Sequence, residues 1–376
     1  MTDEIRPFRI DVPQPEVDDL RDRLARTRWP EAPGGIGWAR GIPLEETREL
    51  ADHWRTTYDW RAREAELNAF PQFVTEIEGQ QIHFLHVRSP REDATPLLIT
   101  HGFPSSVVEF LRLIPLLVEP AEGQAFHVVA ASLPGYGFST PLSGTGWTMG
   151  RTARAWAELM RRLGYQRYGV HGGDVGGGVS GMVAGLDAEH VIGCHVVTDP
   201  MTAANVATFL PGMADRLDPE DPVDRTILDR MAAFRNEGSG YLAIQNSRPQ
   251  TIGYGLADSP ALQLAWVAEK FHEWTDLPID RDQLLTNVSL HWFTGCGATA
   301  AHTLYDQAHS TDWGSPSDVP QGFAVFGADE TVRKLVPAPE GTHWTEFDRG
   351  LHFPAMEAPA LLAQDLQEFF GKLASG

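Results

Sequence analysis

The sequence predicts an α/β protein: a mostly parallel, twisted sheet with helices on both faces, a helical cap and an amino-terminal extension. Three observations lead to this fold class. From about residue 96, short apolar runs alternate with helical stretches, a pattern typical of parallel strands that are buried on both faces. Strand patterns vanish between residues 201 and 318, where amphipathic helices dominate, and they return afterwards. The first 92 residues show a different pattern, in which predicted helices are followed by one hairpin.

The amino-terminal extension, residues 1–92, is predicted to be an arm of two helices and a hairpin. Apolar residues recur at helical spacing from Val17 to Leu24 and again from about residue 44 to 63. This spacing indicates two amphipathic helices. Two runs rich in β-branched and aromatic residues then bracket a turn at 78–80, which is a hairpin signal.

The core is predicted in two parts, 93–200 and 319–376, which the cap at 201–318 separates. Its strand-like runs are Leu97–Thr100, His127–Ala131, Tyr168–Val170, Cys194–Val197 and Gly322–Phe326. A helical block that interrupts the strands of one sheet indicates an inserted cap. A last helix is predicted over about 358–372.

Composition excludes several classes of protein. With 42% apolar residues the chain can bury a full core, so wholesale disorder is excluded. With two cysteines in 376 residues, the chain is not a protein whose fold is held together by disulfide bonds. A net charge of −21 disfavours nucleic acid and anionic membranes, which bind proteins largely through cationic side chains. The start lacks the apolar stretch of a signal peptide, and we expect a cytoplasmic protein without a nucleic-acid or membrane partner.

The candidate nucleophile lies in the turn after the third strand-like run, where residues 171–176 read HGGDVG. This segment fits the G-x-nucleophile-x-G elbow, with Asp174 at the nucleophile position. Glycines are needed because the turn from strand to helix is tight. The N–H of Val175 and the dipole of the following helix both favour an anion at this place.

Two other interpretations of this segment stay open from the sequence. Asp174 is a common residue type for a helix N-cap. Residues 176–181 satisfy G-x-G-x-x-G, and Asp199 stands roughly where a ribose-binding acid is expected. Against a dinucleotide site, the glycines begin several residues after the strand, and the carboxylate of Asp174 would face the pyrophosphate.

The other groups that an aspartate nucleophile needs follow in the expected order. Residues 100–104 read THGFP, at the position of an oxyanion loop whose donor would be the N–H of Phe103. The last strand-like run is followed by two acids, Asp329 and Glu330, and His352 stands in a turn before the final helix. This order favours Asp329 as the acid and His352 as the base, with Glu330 as the fallback.

No metal or cofactor is expected. The sequence contains neither an H-E-x-x-H pair for zinc nor a G-K-[ST] phosphate loop.

Longer stretches identify a family. Residues 7–30, which end in RDRLARTRWP, and residues 132–139, which read SLPGYGFS, are similar to those of microsomal-type epoxide hydrolases of the α/β-hydrolase superfamily. So are GYLAIQ at 240–245 and RPQT at 248–251 in the predicted cap, and HFPA at 352–355. The resemblance covers nearly the whole chain. The chain also resembles actinobacterial members that open epoxides on enediyne antibiotic precursors.

The resemblance implies an epoxide hydrolase that works in two steps without a cofactor. Asp174 would open the epoxide and form an ester, while Tyr241 and Tyr305 from the cap activate the ring oxygen. Water would then hydrolyse the ester, with His352 as the base and Asp329 as its orienting acid. The expected oxyanion donors are the N–H groups of Phe103 and Val175, and the expected substrate contacts are Pro104, Phe138, Trp266 and Phe353.

The partners implied are water and a small-molecule epoxide that is hydrophobic or aromatic, such as that of a natural product. The sequence leaves the substrate and the oligomeric state open, and a homodimer is compatible with it.

Two departures from the family pattern bear on the site. Val175 replaces the tryptophan that usually follows the nucleophile, which makes that wall of the pocket smaller. FGAD at 326–329 replaces F-P-x-E and puts an aspartate at the acid position.

Two alternatives stay open: a haloalkane or haloacid dehalogenase, which uses the same machinery, and a non-catalytic ligand-binding homologue. A haloalkane dehalogenase has a halide-binding tryptophan where this chain has Val175. A receptor of this fold typically lacks part of the triad.

Overall fold

The computed structural model describes residues 4–314, 317–336 and 338–374. In these ranges the strands are β1 (Arg6–Phe8), β2 (Gln72–Ile77), β3 (Gln80–Val87), β4 (Thr95–Thr100), β5 (Phe126–Ala131), β6 (Tyr168–Gly172), β7 (Val191–Thr198), β8 (Gln321–Val325) and β9 (His343–Glu346). They form one sheet in the order β1-β2-β3-β5-β4-β6-β7-β8-β9. The pairs β1–β2, β2–β3 and β3–β5 are antiparallel. All pairs from β5 to β9 are parallel, which confirms the predicted fold class.

Helices cover much of the remaining chain. They are α1 (Gln14–Ala25), α2 (Leu44–Thr56), α3 (Trp60–Leu67), α4 (Leu113–Val118), α5 (Met149–Arg162), α6 (Asp174–Leu186), α7 (Pro200–Ala207), α8 (Pro222–Ala233), α9 (Gly240–Gln245), α10 (Pro249–Asp258), α11 (Pro260–Glu273), α12 (Arg281–Thr294), α13 (Cys296–Ala308), α14 (Glu330–Leu335), α15 (Pro354–Glu357) and α16 (Pro359–Ala374). Within the described ranges, none of them combines the length and the hydrophobicity needed to cross a bilayer.

The amino-terminal segment contains the predicted hairpin, but its second helix differs from the prediction. The β2–β3 loop has two residues with φ of +52° and +78°, as a type I′ turn requires. The helix expected over 44–63 is two helices, α2 and α3. The break occurs because Asp59 caps α3, accepting hydrogen bonds from the N–H groups of Arg61 and Ala62 at 3.0 and 3.3 Å.

Two short edge strands, β1 and β9, were not predicted from the sequence. They have three and four residues, which is too short for a two-residue alternation to stand out from its surroundings.

The seven helices α7–α13 come between β7 and β8 in the chain, where the sequence predicts the cap. The amino-terminal segment packs against them. The buried Trp54 of α2 donates its indole N–H to the Ser289 hydroxyl of α12 at 2.8 Å. Tyr58 donates its hydroxyl to Thr286 of the same helix at 3.1 Å.

We predict that Glu64→Ala destabilises the fold by about 2–3 kcal/mol. The Glu64 carboxylate is buried and accepts from the Val12 N–H at 2.8 Å and the Trp60 indole at 3.3 Å. Each buried donor that loses its acceptor costs about 1–3 kcal/mol. Urea unfolding followed by fluorescence measures the change.

The matched control for this measurement is Glu66→Ala, which removes an exposed carboxylate paired with Arg63 at 3.0 Å. Its loss should stay below about 1 kcal/mol. Equal losses for the two variants would contradict the structural role given to Glu64.

Candidate active site

The Asp174 carboxylate lies at the turn between β6 and α6, in a backbone conformation that few residues adopt. Its φ is +52°, in the left-handed region where a residue with a Cβ is strained. Its Oδ1 accepts a hydrogen bond from the Phe103 N–H at 2.8 Å. The side chain is 28% exposed, so one oxygen is held by a backbone donor while the carboxylate remains accessible.

Close approach between this turn and the loop after β4 explains one glycine in each of them. A Cβ on Gly176 would overlap the carbonyl oxygen of Thr100. A Cβ on Gly102 would lie 2.8 Å from Cγ of Asp174. Both positions need glycine because a side chain at either one would push the two loops apart.

The two competing interpretations of this segment do not fit the geometry. Helix α6 begins at Asp174, with Gly173 as its N-cap, and the Asp174 carboxylate bonds to the loop of Phe103. It is therefore not a helix cap. The G-x-G-x-x-G stretch, residues 176–181, lies inside α6, whereas a phosphate loop must come before its helix.

His352 is brought to Asp174 from the other end of the chain. Its Nε2 lies 3.8 Å from Oδ2 of Asp174. Its backbone N–H donates to the carbonyl of Trp274 at 3.1 Å. The imidazole is flanked by the rings of Trp274 and Phe353, with centroids at 5.0 and 4.7 Å.

The structure does not bring the predicted acid, Asp329, to His352, and this corrects the prediction. Asp329 accepts from the Arg230 guanidinium at 2.7 Å and from the Thr331 N–H at 2.9 Å. The fallback, Glu330, is an exposed residue that begins α14. Instead, Oδ2 of Asp199 lies 3.5 Å from Nδ1 of His352.

Sheet order places the two aspartates at different distances from the strand that carries Asp174. Asp199 follows β7, which is the neighbour of β6, whereas Asp329 follows β8, one strand further away. Adjacent strands are about 5 Å apart. The sequence signal existed, because Asp199 follows a strand-like run directly, but chain order alone cannot show that β7 is the strand beside the nucleophile.

Charges at the site shift the pKa values of its groups. Burial alone would lower the pKa of His352, but the carboxylates of Asp199, Asp174 and Glu109 outweigh it and raise that pKa. Burial opposes ionisation of Asp199, yet its hydrogen bonds and the charge of His352 keep its pKa below the ordinary value. Burial raises the pKa of Glu109 to about 7.

Of the two predicted cap tyrosines, the structure places one at the site. Tyr241 lines the cavity beside Asp174, and its ring stacks on that of Phe103 with a centroid distance of 5.4 Å. Tyr305 instead stacks on His309 at 4.0 Å, and the preceding residue, Leu304, lines the cavity. Consecutive residues of a helix point about 100° apart, so a shift of one residue removes Tyr305 from the site.

The Tyr241 phenol is kept protonated by its surroundings. Burial raises its pKa, and the nearby negative charge of Asp174 raises it further. The Lys270 ammonium lies 5.0 Å from the ring centroid, close enough for a cation–π contact.

The cavity at Asp174 has a volume of about 140 Å³ and a largely apolar wall. Its lining residues are Phe103, Asp174, Val175, Met201, Thr202, Asn205, Val206, Phe209, Phe234, Tyr241, Leu242, Trp274, Leu304 and His352. A larger cavity of about 930 Å³ shares Tyr241 and Trp274 with it and extends to Trp38–Gly41 of the amino-terminal segment.

Four residues predicted to contact substrate are not among the described residues that line the 140 Å³ cavity: Pro104, Phe138, Trp266 and Phe353. Phe353 stacks on Phe271 at 4.2 Å, behind His352. Phe138 packs against Phe8 at 5.0 Å. The Pro104 carbonyl accepts from Asn287 at 2.9 Å, and Trp266 packs against the main hydrophobic core.

Val175 borders both the 140 Å³ cavity and a neighbouring apolar cavity of about 80 Å³. The small wall predicted at this position is therefore part of the site. Across residues 4–314, 317–336 and 338–374, no group of three or more His, Cys, Asp or Glu side chains is arranged to hold a metal ion.

Fold and site together define an α/β-hydrolase with an aspartate at the nucleophile elbow. Residues 95–258 match the family described as alpha/beta hydrolase fold, and residues 5–110 match the one described as epoxide hydrolase N terminus.

Relatives along almost the entire chain define the family more closely. The chain is 44% identical to a Stigmatella aurantiaca protein provisionally named an epoxide hydrolase, over 98% of this chain and 85% of that protein. It is 33% identical to epoxide hydrolase 1 of Sus scrofa, over 99% and 89% of the two chains. The structure of juvenile hormone epoxide hydrolase from Bombyx mori matches with a TM-score of 0.82 at 28% identity, over 99% and 94% of the chains. This chain belongs to the epoxide hydrolase family.

We predict that His352 titrates above its ordinary value of about 6.5 and that Asp174→Asn lowers its pKa. The negative charge of Asp174, 3.8 Å from Nε2, stabilises the imidazolium form of His352. The variant removes this charge. NMR titration of the His352 ring protons measures both values, and intact mass verifies that the substitution persists.

Glu330→Gln is the matched control for this titration, since it removes an exposed carboxylate. It should leave the His352 titration unchanged. A titration midpoint that stays the same in Asp174→Asn would show that the two side chains do not interact in solution.

Proposed function

We propose that this epoxide hydrolase opens its substrate to a vicinal diol through a covalent ester on Asp174. The observation that carries the proposal is that the two carboxylate oxygens of Asp174 have different contacts. Oδ1 accepts from the Phe103 N–H at 2.8 Å, while Oδ2 faces the imidazole of His352 at 3.8 Å. Oδ2 is thus the oxygen free to attack, and Oδ1 is the one positioned to become the ester carbonyl.

In the first step, Oδ2 of Asp174 attacks an epoxide carbon, and the bond from that carbon to the ring oxygen breaks. The ring oxygen leaves as an alkoxide and takes a proton from the phenol of Tyr241. A phenol with a raised pKa stays protonated at neutral pH, so it can donate to the developing negative charge. No second cap tyrosine takes part in this account, since Tyr305 packs on His309.

In the second step, water attacks the carbonyl carbon of the ester while His352 Nε2 takes a proton from it. Negative charge then develops on Oδ1, where the N–H groups of Phe103 and Val175 are the proposed donors. Such a donor is commonly worth about 3–4 kcal/mol of barrier. The intermediate collapses by breaking the bond from Cγ to the diol oxygen, which leaves with the proton of the imidazolium. The second proton of the water, left on the Asp174 carboxyl group, returns to the Tyr241 phenolate and restores both groups.

Ester formation also prepares His352 for its role. The ester of Asp174 carries no charge, so one of the groups that raise the pKa of His352 is removed. The imidazole is therefore more easily neutral in the ester than in the free enzyme. A neutral imidazole is the form that can act as a base.

We further propose an epoxide with an apolar or aromatic substituent. The wall beside Asp174 is built largely from apolar side chains, among them Phe103, Met201 and Leu304. Phe209 is 60% exposed at this cavity, so its mouth is apolar as well. Polar groups are few, as is typical of pockets that bind apolar ligands.

We propose that residues 201–318 act as a cap and residues 1–92 as an arm that shapes the entrance. Tyr241 and Trp274 come from the first of these segments and line the cavity at Asp174. Trp38 comes from the second and stacks on His272 at 3.5 Å, beside the larger cavity.

The covalent route predicts that oxygen from labelled water enters Asp174 during multiple turnovers. Styrene oxide and bulkier aromatic epoxides provide the substrates, and peptide mass spectrometry locates the label. His352→Gln should accumulate the ester, because the base of the second step is lost while the first step remains. The ester appears as a mass gain equal to one substrate molecule.

Label found only in the diol would contradict the covalent route. Chloroalkanes tested beside the epoxides should release no halide. Tight binding without turnover of any epoxide would instead favour a ligand-binding protein.

We predict that Tyr241→Phe and Tyr305→Phe differ sharply, although both remove one hydroxyl. Tyr241→Phe should lower the rate of ester formation about 10²–10⁴-fold, the usual range for a general acid. Tyr305→Phe should stay within about threefold of the unmodified protein, since its ring lies against His309. Stopped-flow measurement of ester formation with a single epoxide compares them. Equal losses would contradict the assignment of a single cap tyrosine.

A further inference from the structure

We propose that the Thr202 hydroxyl links His352 to Asp199, and that this pair, rather than Asp329, positions the base. The inference rests on the proposed two-step reaction and adds two positioning residues to it. Three distances carry it. Nδ1 of His352 lies 2.9 Å from Oγ1 of Thr202, which in turn lies 2.5 Å from Oδ2 of Asp199. The direct distance from Nδ1 to Oδ2 is 3.5 Å.

The direction of these hydrogen bonds follows from the number of protons available. A threonine hydroxyl has one proton, and Asp199 as an anion can only accept it. The Thr202 oxygen is then left to accept the Nδ1–H of His352. A direct bond from Nδ1–H to the carboxylate would be long, since N–H···O bonds normally measure 2.7–3.2 Å. The hydroxyl therefore mediates the contact.

Local backbone structure holds the Asp199 carboxylate in one orientation. Asp199 is the N-cap of α7, and its Oδ1 accepts from the N–H groups of Met201 and Thr202 at 2.8 and 2.9 Å. The residue is fully buried. Oδ2 is thus presented to the Thr202 hydroxyl on the same first turn, and the buried charge is balanced by donors on both oxygens.

Asp329 takes part in a contact between two helices instead. It accepts from the Arg230 guanidinium at 2.7 Å, and Arg230 also donates to the Thr331 hydroxyl at 2.8 Å. These contacts connect α8 with the start of α14. Because both of its carboxylate oxygens are already engaged, by Arg230 and by Thr331, Asp329 would have to give up these contacts to reach His352.

The link determines which nitrogen of His352 carries the proton. With Nδ1–H donated to Thr202, the lone pair of Nε2 faces Asp174, as removal of a proton from water requires. When Nε2 gains that proton, the negative charge of Asp199 stabilises the imidazolium. The other ionisable groups that act on this imidazole are Asp174 and Glu109, so the pH dependence reports all three carboxyl groups together.

The test separates the two chemical steps by single-turnover kinetics on an aromatic epoxide, with mass spectrometry of the Asp174 ester. Asp199→Asn should slow decay of the ester about 10²–10⁴-fold and leave its formation within roughly fivefold. Asparagine is also a good N-cap, so α7 should persist. The acid limb of ester decay should shift to lower pH, because removal of a carboxylate lowers the pKa of His352.

Variants of Thr202 test the hydroxyl itself. Thr202→Val should slow ester decay roughly tenfold, as loss of one hydrogen bond does. Thr202→Ser keeps the hydroxyl and should restore decay to within about threefold.

The matched control is Asp329→Asn, for which the rate of diol formation should stay within about twofold of that of the unmodified protein. Slow ester decay in Asp329→Asn together with normal decay in Asp199→Asn would overturn the inference. Slow ester decay in Asp199→Asn with an unshifted acid limb of the pH profile would also overturn it, since that pattern indicates a structural role only. Normal decay in Thr202→Val would overturn the mediating role of the hydroxyl. Failure of the unmodified protein to form any ester would refute the covalent mechanism itself and is visible before any variant is made.

Discussion

The left-handed backbone of Asp174 is the constraint on which the rest of the site depends. A non-glycine residue holds φ of +52° only where its surroundings leave no alternative. Here the loop after β4 closes on the turn, and glycines at 102 and 176 permit that approach. The Phe103 N–H then binds one oxygen of the carboxylate and leaves the other facing His352. The strained backbone is thus that of the residue whose carboxylate is both fixed by a backbone donor and accessible.

The site is assembled from segments that are far apart in the chain, and their supports are shared. His352 follows the last parallel strands, yet its backbone is hydrogen-bonded to Trp274 of the helical segment between β7 and β8. Tyr241 comes from the same segment and stacks on Phe103, which supplies the donor to Asp174. Displacement of the helices between β7 and β8 would therefore disturb His352 and the Phe103 loop at the same time.

Two aspartates at neighbouring strand ends show how packing divides similar residues between roles. Asp199 after β7 is buried, caps α7 by accepting from backbone N–H groups, and is connected to His352 through the Thr202 hydroxyl. Asp329 after β8 caps a helix in the same way but meets Arg230. Their local sequence patterns are alike, since each stands directly before a helix. What separates them is the order of strands in the sheet and the cation contributed by α8.

The sequence alone determined the fold class and predicted the candidates for the nucleophile, the oxyanion loop and the base, because these depend on local patterns: glycine spacing, short apolar runs and a histidine before the last helix. Tertiary structure alone decided which carboxylate faces His352, which of Leu304 and Tyr305 reaches the cavity, and that the Phe353 ring lies beside His352. Each of these choices depends on strand order, on a rotation of one helical residue or on packing between distant segments. A linear pattern carries no record of such long-range geometry.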